Sequence, residues 1–179
     1  MKALLIVDVQ NDFCPGGALE TPEGDKVVPV INKIADKFDL VVASRDWHPE
    51  DSIHFENWPV HCVHNTKGAD FHPDLKTAKI TQQLFKGTGN KDDGYSAFEA
   101  TNVNLNEYLK DKKVDELYIS GLTTEYCVKQ TTLDALKNGF STYLIVDGIE
   151  GVRAHPNDPQ KAIDEMKKNG VKLIGADEI

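Results

Sequence analysis

Leu4-Leu5-Ile6-Val7 is an unbroken apolar run that stops at a carboxylate, Asp8, and no other feature restricts the fold as much. A strand with one wet face alternates apolar and polar residues. A strand apolar throughout must be covered on both faces, as in a parallel sheet with helices above and below. Similar short runs recur at Leu40 to Ala43, Leu117 to Ile119, Tyr143 to Val146 and Val171 to Ile174. Between them lie helical spacings. Val27, Val30, Ile31, Ile34 and Phe38 form one stripe, with Pro29 tolerable in a first turn, and Leu105, Tyr108 and Leu109 form another. The segments Thr124 to Asn138 and Asp158 to Asn169 each run into a glycine, Gly139 and Gly170, which ends helices readily. Strands alternating with helices predict a doubly wound α/β sheet.

At 179 residues, one domain spanning 1–179 is expected, large enough to bury roughly 70 per cent of its unfolded surface. The exception to the alternation is the region 46–83, rich in Pro, His, Asp and Asn and without helical period. Phe55, Trp58, Val60 and Phe71 would anchor it as an ordered functional loop. A net charge of −9 argues against nucleic acid or an anionic membrane as partner and favours a small-molecule substrate. Three cysteines, Cys14, Cys62 and Cys127, without CxxC spacing favour free thiols in a reducing compartment. With no basic leader or bilayer-length apolar run, a cytoplasmic protein is expected. A homo-oligomer is compatible with this size, but no exposed apolar stripe is legible.

Five of the six histidines, His48, His54, His61, His64 and His72, fall in the region that Asp46 opens. Neutral imidazole is the most frequent metal ligand, so this excess beside a carboxylate points to a metal site. Asp46 and His48 are two apart and project to one side of an extended backbone; His54 and His61 could close the shell. The alternative is a set of surface histidines, and His64 and His72 fit that role or an outer shell better. Cys14 and Cys62 read as packing residues.

In open α/β sheets the ligand crevice lies beyond the carboxyl ends of the strands. Asp8, Asp46 and Cys127 all belong to that edge. At a helix start Cys127 would have a lowered thiol pKa and could act as a nucleophile, its oxyanion met by backbone N–H groups; equally it could be a small core residue. Asp8 could take a thiol proton or simply bond the adjacent turn. Lys86 could hold Asp8 ionised or simply be solvated. Gly87-Thr88-Gly89 lacks the further residues of a phosphate loop.

Ile6 to Phe13, Arg45-Asp46-Trp47-His48-Pro49, Trp58 to Val63, Phe85-Lys86-Gly87, Tyr95 to Phe98 and Gly121 to Val128 resemble, in order, the nicotinamidases (pyrazinamidases) of the isochorismatase-like hydrolases. The resemblance covers nearly the whole chain. It implies a three-layer, doubly wound, mainly parallel six-stranded sheet and hydrolysis of nicotinamide, with pyrazinamide as a second substrate. It implies a triad of Asp8, Lys86 and Cys127, and a divalent ion on Asp46, His48 and His61, with His54 as a fourth ligand in some members. Zinc is the first choice of ion, with iron or manganese as alternatives. It further implies pocket walls from Phe13, Trp58, Tyr95 and Tyr126, an oxyanion hole at the N–H groups of Thr123 and Cys127, and a cis peptide between Leu122 and Thr123. A relative acting on another small amide or carbamoyl compound, and a non-catalytic metal- or thiol-binding module, stand as the alternatives.

Overall fold

The first strand, β1 (Lys2–Val7), is buried from Ala3 onward, as its continuous apolar run requires. In the computed structural model, which describes residues 1–179, five further strands follow: β2 (Leu40–Asp46), β3 (Gln82–Lys86), β4 (Glu116–Leu122), β5 (Ser141–Glu150) and β6 (Lys172–Ile174). They form one sheet in the order β3-β2-β1-β4-β5-β6, parallel throughout. The helices are α1 (Val27–Ile34), α2 (Leu105–Asp111), α3 (Lys129–Lys137) and α4 (Asp158–Lys168).

Side chains of β1 alternate between two cores. Ala3, Leu5 and Val7 meet Leu105 and Leu109 of α2, Ala135 of α3 and Met166 of α4. Leu4 and Ile6 meet Val27, Val28, Ile31 and Ile34 of α1, together with Cys62, Ala69 and Leu75 from the long loop after β2. The result is three layers, with α1 and that loop on one face and the other three helices opposite. Because β1 pairs with β2 on one side and β4 on the other, the chain's winding direction reverses there, and a crevice opens at the carboxyl ends of these strands. No helix is long and apolar enough to cross a membrane.

Several local expectations need correction. The loop ends earlier than residue 83, because β3 starts at Gln82. This edge strand pairs only with β2 and has the polar residues Gln82 and Gln83 in its first half, so it shows no apolar run. Helix α1 stops at Ile34 and a 3-10 turn, Ala35–Lys37, follows, so Phe38 is buried beyond the helix. Val60 is 59% exposed and anchors nothing; Cys62, Ala69 and Leu75 are the buried residues that fix the loop. Strand β5 runs past Val146 to Glu150, with a register shift against β4 between Ile119 and Gly121.

Candidate active site

Four neighbouring strands deliver the candidate residues. Asp8 directly follows β1, Asp46 ends β2, Lys86 ends β3, and Cys127 lies in the turn after β4. Asp46 and Lys86 are register partners across the parallel β2–β3 pair, so their side chains rise side by side. Asp8 has φ +49°, a left-handed conformation that costs of order 1–3 kcal/mol and persists where the surroundings over-determine it. Its surroundings do so: its N–H bonds the Ser44 carbonyl at 3.2 Å, and the Ser44 hydroxyl donates to its Oδ1 at 2.7 Å.

The Lys86 ammonium is fully buried and spends its three N–H donors on Asp46 Oδ1 at 2.5 Å, the Gly94 carbonyl at 2.8 Å and Cys127 Sγ at 3.4 Å. Asp8 Oδ2 lies 2.7 Å from the same nitrogen in a fully buried ion pair, which leaves lone-pair capacity on that oxygen. A buried carboxylate oxygen with spare acceptor capacity thus stands beside a thiol. Acceptor atoms of Asp8, Asp46 and Cys127 all lie within 4.8 Å of one another.

Burial pushes the Asp8 carboxyl above its ordinary range, opposed by the Lys86 charge. Asp46 is also penalised by burial, but Lys86 and the imidazoles facing it outweigh that and hold its carboxyl well below the usual range. Lys86 itself is held charged: burial works against it, and the charges of Asp46 and Asp8 prevail. The Cys127 thiol runs against expectation. Burial and the two carboxylates push it well above its ordinary value despite Lys86. Its turn, Thr124–Val128, is π-helical rather than the start of α3, and desolvation outweighs any helix-end effect. The Leu122–Thr123 peptide is cis, and the Thr123 carbonyl accepts the N–H groups of Tyr126 and Val128.

On the other side of Asp46, its Oδ2 lies 3.6 Å from His48 Nε2 and 3.8 Å from His61 Nε2. His48, His54 and His61 are all buried, each offering a nitrogen within 4.8 Å of the others'. Each Nδ1 is already held from behind: His48 by the Gly87 carbonyl at 3.0 Å, His61 by the Pro59 carbonyl at 2.6 Å, and His54 by Asp92 Oδ1 at 2.7 Å. This is how metal-ligating histidines are oriented, with the second nitrogen left for the ion. His48 Nε2 is buried and makes no hydrogen bond, its nearest acidic oxygen being Asp46 Oδ2 at 3.6 Å, which a hydrogen-bonded structural role does not explain. The three imidazoles form one group that could hold a metal ion, Asp46 is grouped with Asp8 and Cys127 in another, and its Oδ2 faces two of the imidazoles, so nitrogen and carboxylate donors suited to a divalent ion such as zinc adjoin here. His64 and His72 are half-buried and stand outside this group, and Cys14 and Cys62 are core residues.

The cavity between the two halves opens to solvent and encloses about 340 Å³ including its mouth. Phe13, Trp58, Tyr95 and Tyr126 line it together with Asp46, His54, His61, Thr123 and Cys127. Trp58 is edge-on to Tyr126 at 5.0 Å and donates its indole N–H to the Tyr95 hydroxyl at 3.0 Å, leaving a slot with aromatic walls. Leu19 and Val152 also line it, and neither stands out in the sequence. Gln10, Ser44, Asp92 and Gly94 support the site and were not read from the residue pattern. Ser44 carried a signal: it is polar within an apolar strand, two residues before Asp46 and so on the same face. Gln10 is fully buried, accepts the Asp46 N–H at 2.8 Å and donates to the Asp46 and Ala69 carbonyls, both at 2.9 Å, clamping the strand end to the loop.

The isochorismatase domain family matches residues 2–178 of the chain. A nicotinamidase from Escherichia coli K12 is 40% identical over 199 residues, spanning 96% of this chain and 93% of that protein. A pyrazinamidase from Pyrococcus horikoshii, solved in complex with zinc, is 45% identical with a TM-score of 0.89, covering 97% of this chain and 98% of the other. A protein from L. infantum solved in complex with nicotinate is 33% identical with a TM-score of 0.92, covering 99% of this chain and 93% of the other.

Proposed function

This chain belongs to the isochorismatase family, and from that membership we propose that it is a nicotinamidase, an amidohydrolase that converts nicotinamide and water to nicotinate and ammonia. The whole chain is read as one hydrolase domain, with the metal-binding region in 46–83. The observation that carries the reading is that Cys127, in contact with Lys86 and within 4.8 Å of Asp8, shares the wall of an aromatic-lined cavity with Asp46, His54 and His61, and that His48 joins those two imidazoles.

Asp8 acts as the base. Its Oδ2, with acceptor capacity to spare, takes the Cys127 proton as the sulfur attacks the carboxamide carbon. The oxyanion of the tetrahedral adduct is received by the N–H groups of Thr123 and Cys127. The adduct collapses, the C–N bond breaks, and the proton on Asp8 leaves with the amine as ammonia, giving a thioester on Cys127. Asp8 then takes a proton from water as its oxygen attacks the thioester. Collapse releases nicotinate and returns the proton to sulfur. Lys86 keeps Asp8 in place and balances the negative charge that passes between carboxylate, sulfur and oxyanion.

Phe13, Trp58, Tyr95 and Tyr126 wall a planar ring. Asp46, His48, His61 and His54 hold a divalent cation, zinc before iron or manganese. When bound, the cation supplies a Lewis-acidic anchor for the pyridine nitrogen and so orients the substrate. Pyrazinamide, with a nitrogen at the corresponding ring position, is the second substrate. A reducing, cytoplasmic setting fits three free thiols.

An enzyme acting on a carbamoyl compound would keep the triad but give the three buried imidazoles no task. A binding module would need neither the buried Lys86 nor its two carboxylates. Ammonia release from nicotinamide and from an N-carbamoyl compound, by the wild type and Cys127→Ala, tests the proposal. Nicotinamide turnover lost in the variant is expected. Turnover of the carbamoyl compound alone, or substantial nicotinamide turnover by Cys127→Ala, would overturn it.

A further inference from the structure

Of the three imidazoles, His54 alone is held by a charged side chain. The Nδ1 atoms of His48 and His61 meet backbone carbonyls, which are neutral. His54 Nδ1 meets the Asp92 carboxylate, whose other oxygen accepts from Asn57 Nδ2 at 3.2 Å. His54 lies within the 3-10 turn Ile53–Glu56 and Asn57 caps its C-terminal end, so Asp92 holds the turn that carries the imidazole at two points. The Asp92 side chain is 42% exposed and needs no burial to make this contact.

Charge makes the arrangement more than steric. Asp46 faces the imidazoles, but its other oxygen is already paired with Lys86. With both carboxylates ionised, Asp8, Asp46 and Lys86 carry one net negative charge, and a dication in their midst leaves an uncompensated positive charge. Asp92, on His54 Nδ1, would neutralise it from outside the ligand set, through the imidazole ring. We propose that Asp92 is the positioning residue of the metal centre: it fixes the Nδ1–H tautomer of His54, directs Nε2 to the ion and adds the missing negative charge. This rests on the reading of Asp46, His48, His54 and His61 as the metal site. It makes His54 the ligand whose strength is set by a replaceable side chain.

The test is zinc affinity of the full-length, metal-stripped protein, measured by competition with a chromogenic chelator. The variants are Asp92→Ala, Asp92→Asn, His54→Ala and the double variant Asp92→Ala/His54→Ala. Asp92→Ala is expected to weaken zinc binding by about 10- to 100-fold, the usual effect of losing an outer carboxylate. Asp92→Asn should recover part of the loss, because its amide oxygen still accepts from Nδ1 but carries no charge. In the His54→Ala background, Asp92→Ala should add little, since the two residues act as one unit. The zinc-free melting midpoint should stay near that of the wild type. Zinc affinity of Asp92→Ala within about twofold of the wild type, or an equal loss with and without His54, would overturn the proposal while leaving the metal site standing. A wild type that binds no zinc would remove the metal-site reading, and this proposal with it.

Discussion

Lys86 and Asp46 join the two halves of the site: the ammonium stands 2.5 Å from one oxygen of the carboxylate, and the other oxygen faces His48 and His61. The proposed catalytic and metal-binding groups are therefore one electrostatic unit. Lys86→Met leaves two carboxylates buried without their cation, and breaking a buried pair in this way costs roughly 3–5 kcal/mol. Urea unfolding of the metal-free protein should show a loss of that size. Added zinc should restore more stability to Lys86→Met than to the wild type, because the ion compensates the orphaned Asp46. Equal zinc stabilisation of both proteins would contradict the coupling.

The raised thiol of Cys127 gives a pH signature. Its reactive form is the thiolate, and burial among carboxylates keeps the proton on, so the thiolate fraction climbs as pH rises towards the elevated pKa. In metal-free protein, carbamidomethylation of Cys127 followed by mass spectrometry should accelerate by close to about tenfold per pH unit between about pH 6 and about pH 8. A flat rate over that interval would mean the thiolate is already formed.

Gly87 is tied by geometry to His48 of the proposed metal site. Its φ is +64°, and a Cβ there would sit 2.5 Å from His48 Cε1. Gly87→Ala therefore meets both a conformational cost of roughly 1–2 kcal/mol and a clash that moves the ring from its carbonyl partner. The variant should fold with reduced zinc content by elemental analysis. Full zinc occupancy with unchanged affinity would show that the His48 position is not critical.

Substrate orientation by the ion predicts a difference between two rings. Benzamide has the carboxamide but no ring nitrogen. Stripping the metal should reduce kcat/KM for nicotinamide by about 100-fold, the scale of a lost orienting contact, and leave the slow hydrolysis of benzamide nearly unchanged. Parallel losses for both amides would assign the ion a role in holding the protein rather than the ring.

The central strands were legible because two-sided burial writes itself as continuous apolar runs, as in Leu4 to Val7. Lys86 was legible as a candidate partner of Asp8, but its place on a strand was not, since β3 is an edge strand with no such run. Asp46 and His48 stood out by their spacing of two, and Asp8 by ending an apolar strand. Asp92 and Gly94 gave no local sign. Asp92 reaches a histidine 38 residues away, and Gly94 contributes only a carbonyl, so the fold alone reveals them. The location of Cys127 at the crevice was legible, but its titration was not: helix position suggested a lowered pKa, whereas the groups around it are set by tertiary convergence.

Because Asp46 and Lys86 end, and Asp8 and Cys127 follow, four adjacent strands, the hydrogen-bond ladder is the ruler that spaces the reacting groups. Slipping one strand by a single residue displaces its member by about 3.3 Å and turns it to the opposite face. A misregistered molecule can keep its helices and most of its apolar burial and still be inert. Turnover per molecule after refolding thus counts correctly aligned sheets, which circular dichroism cannot do.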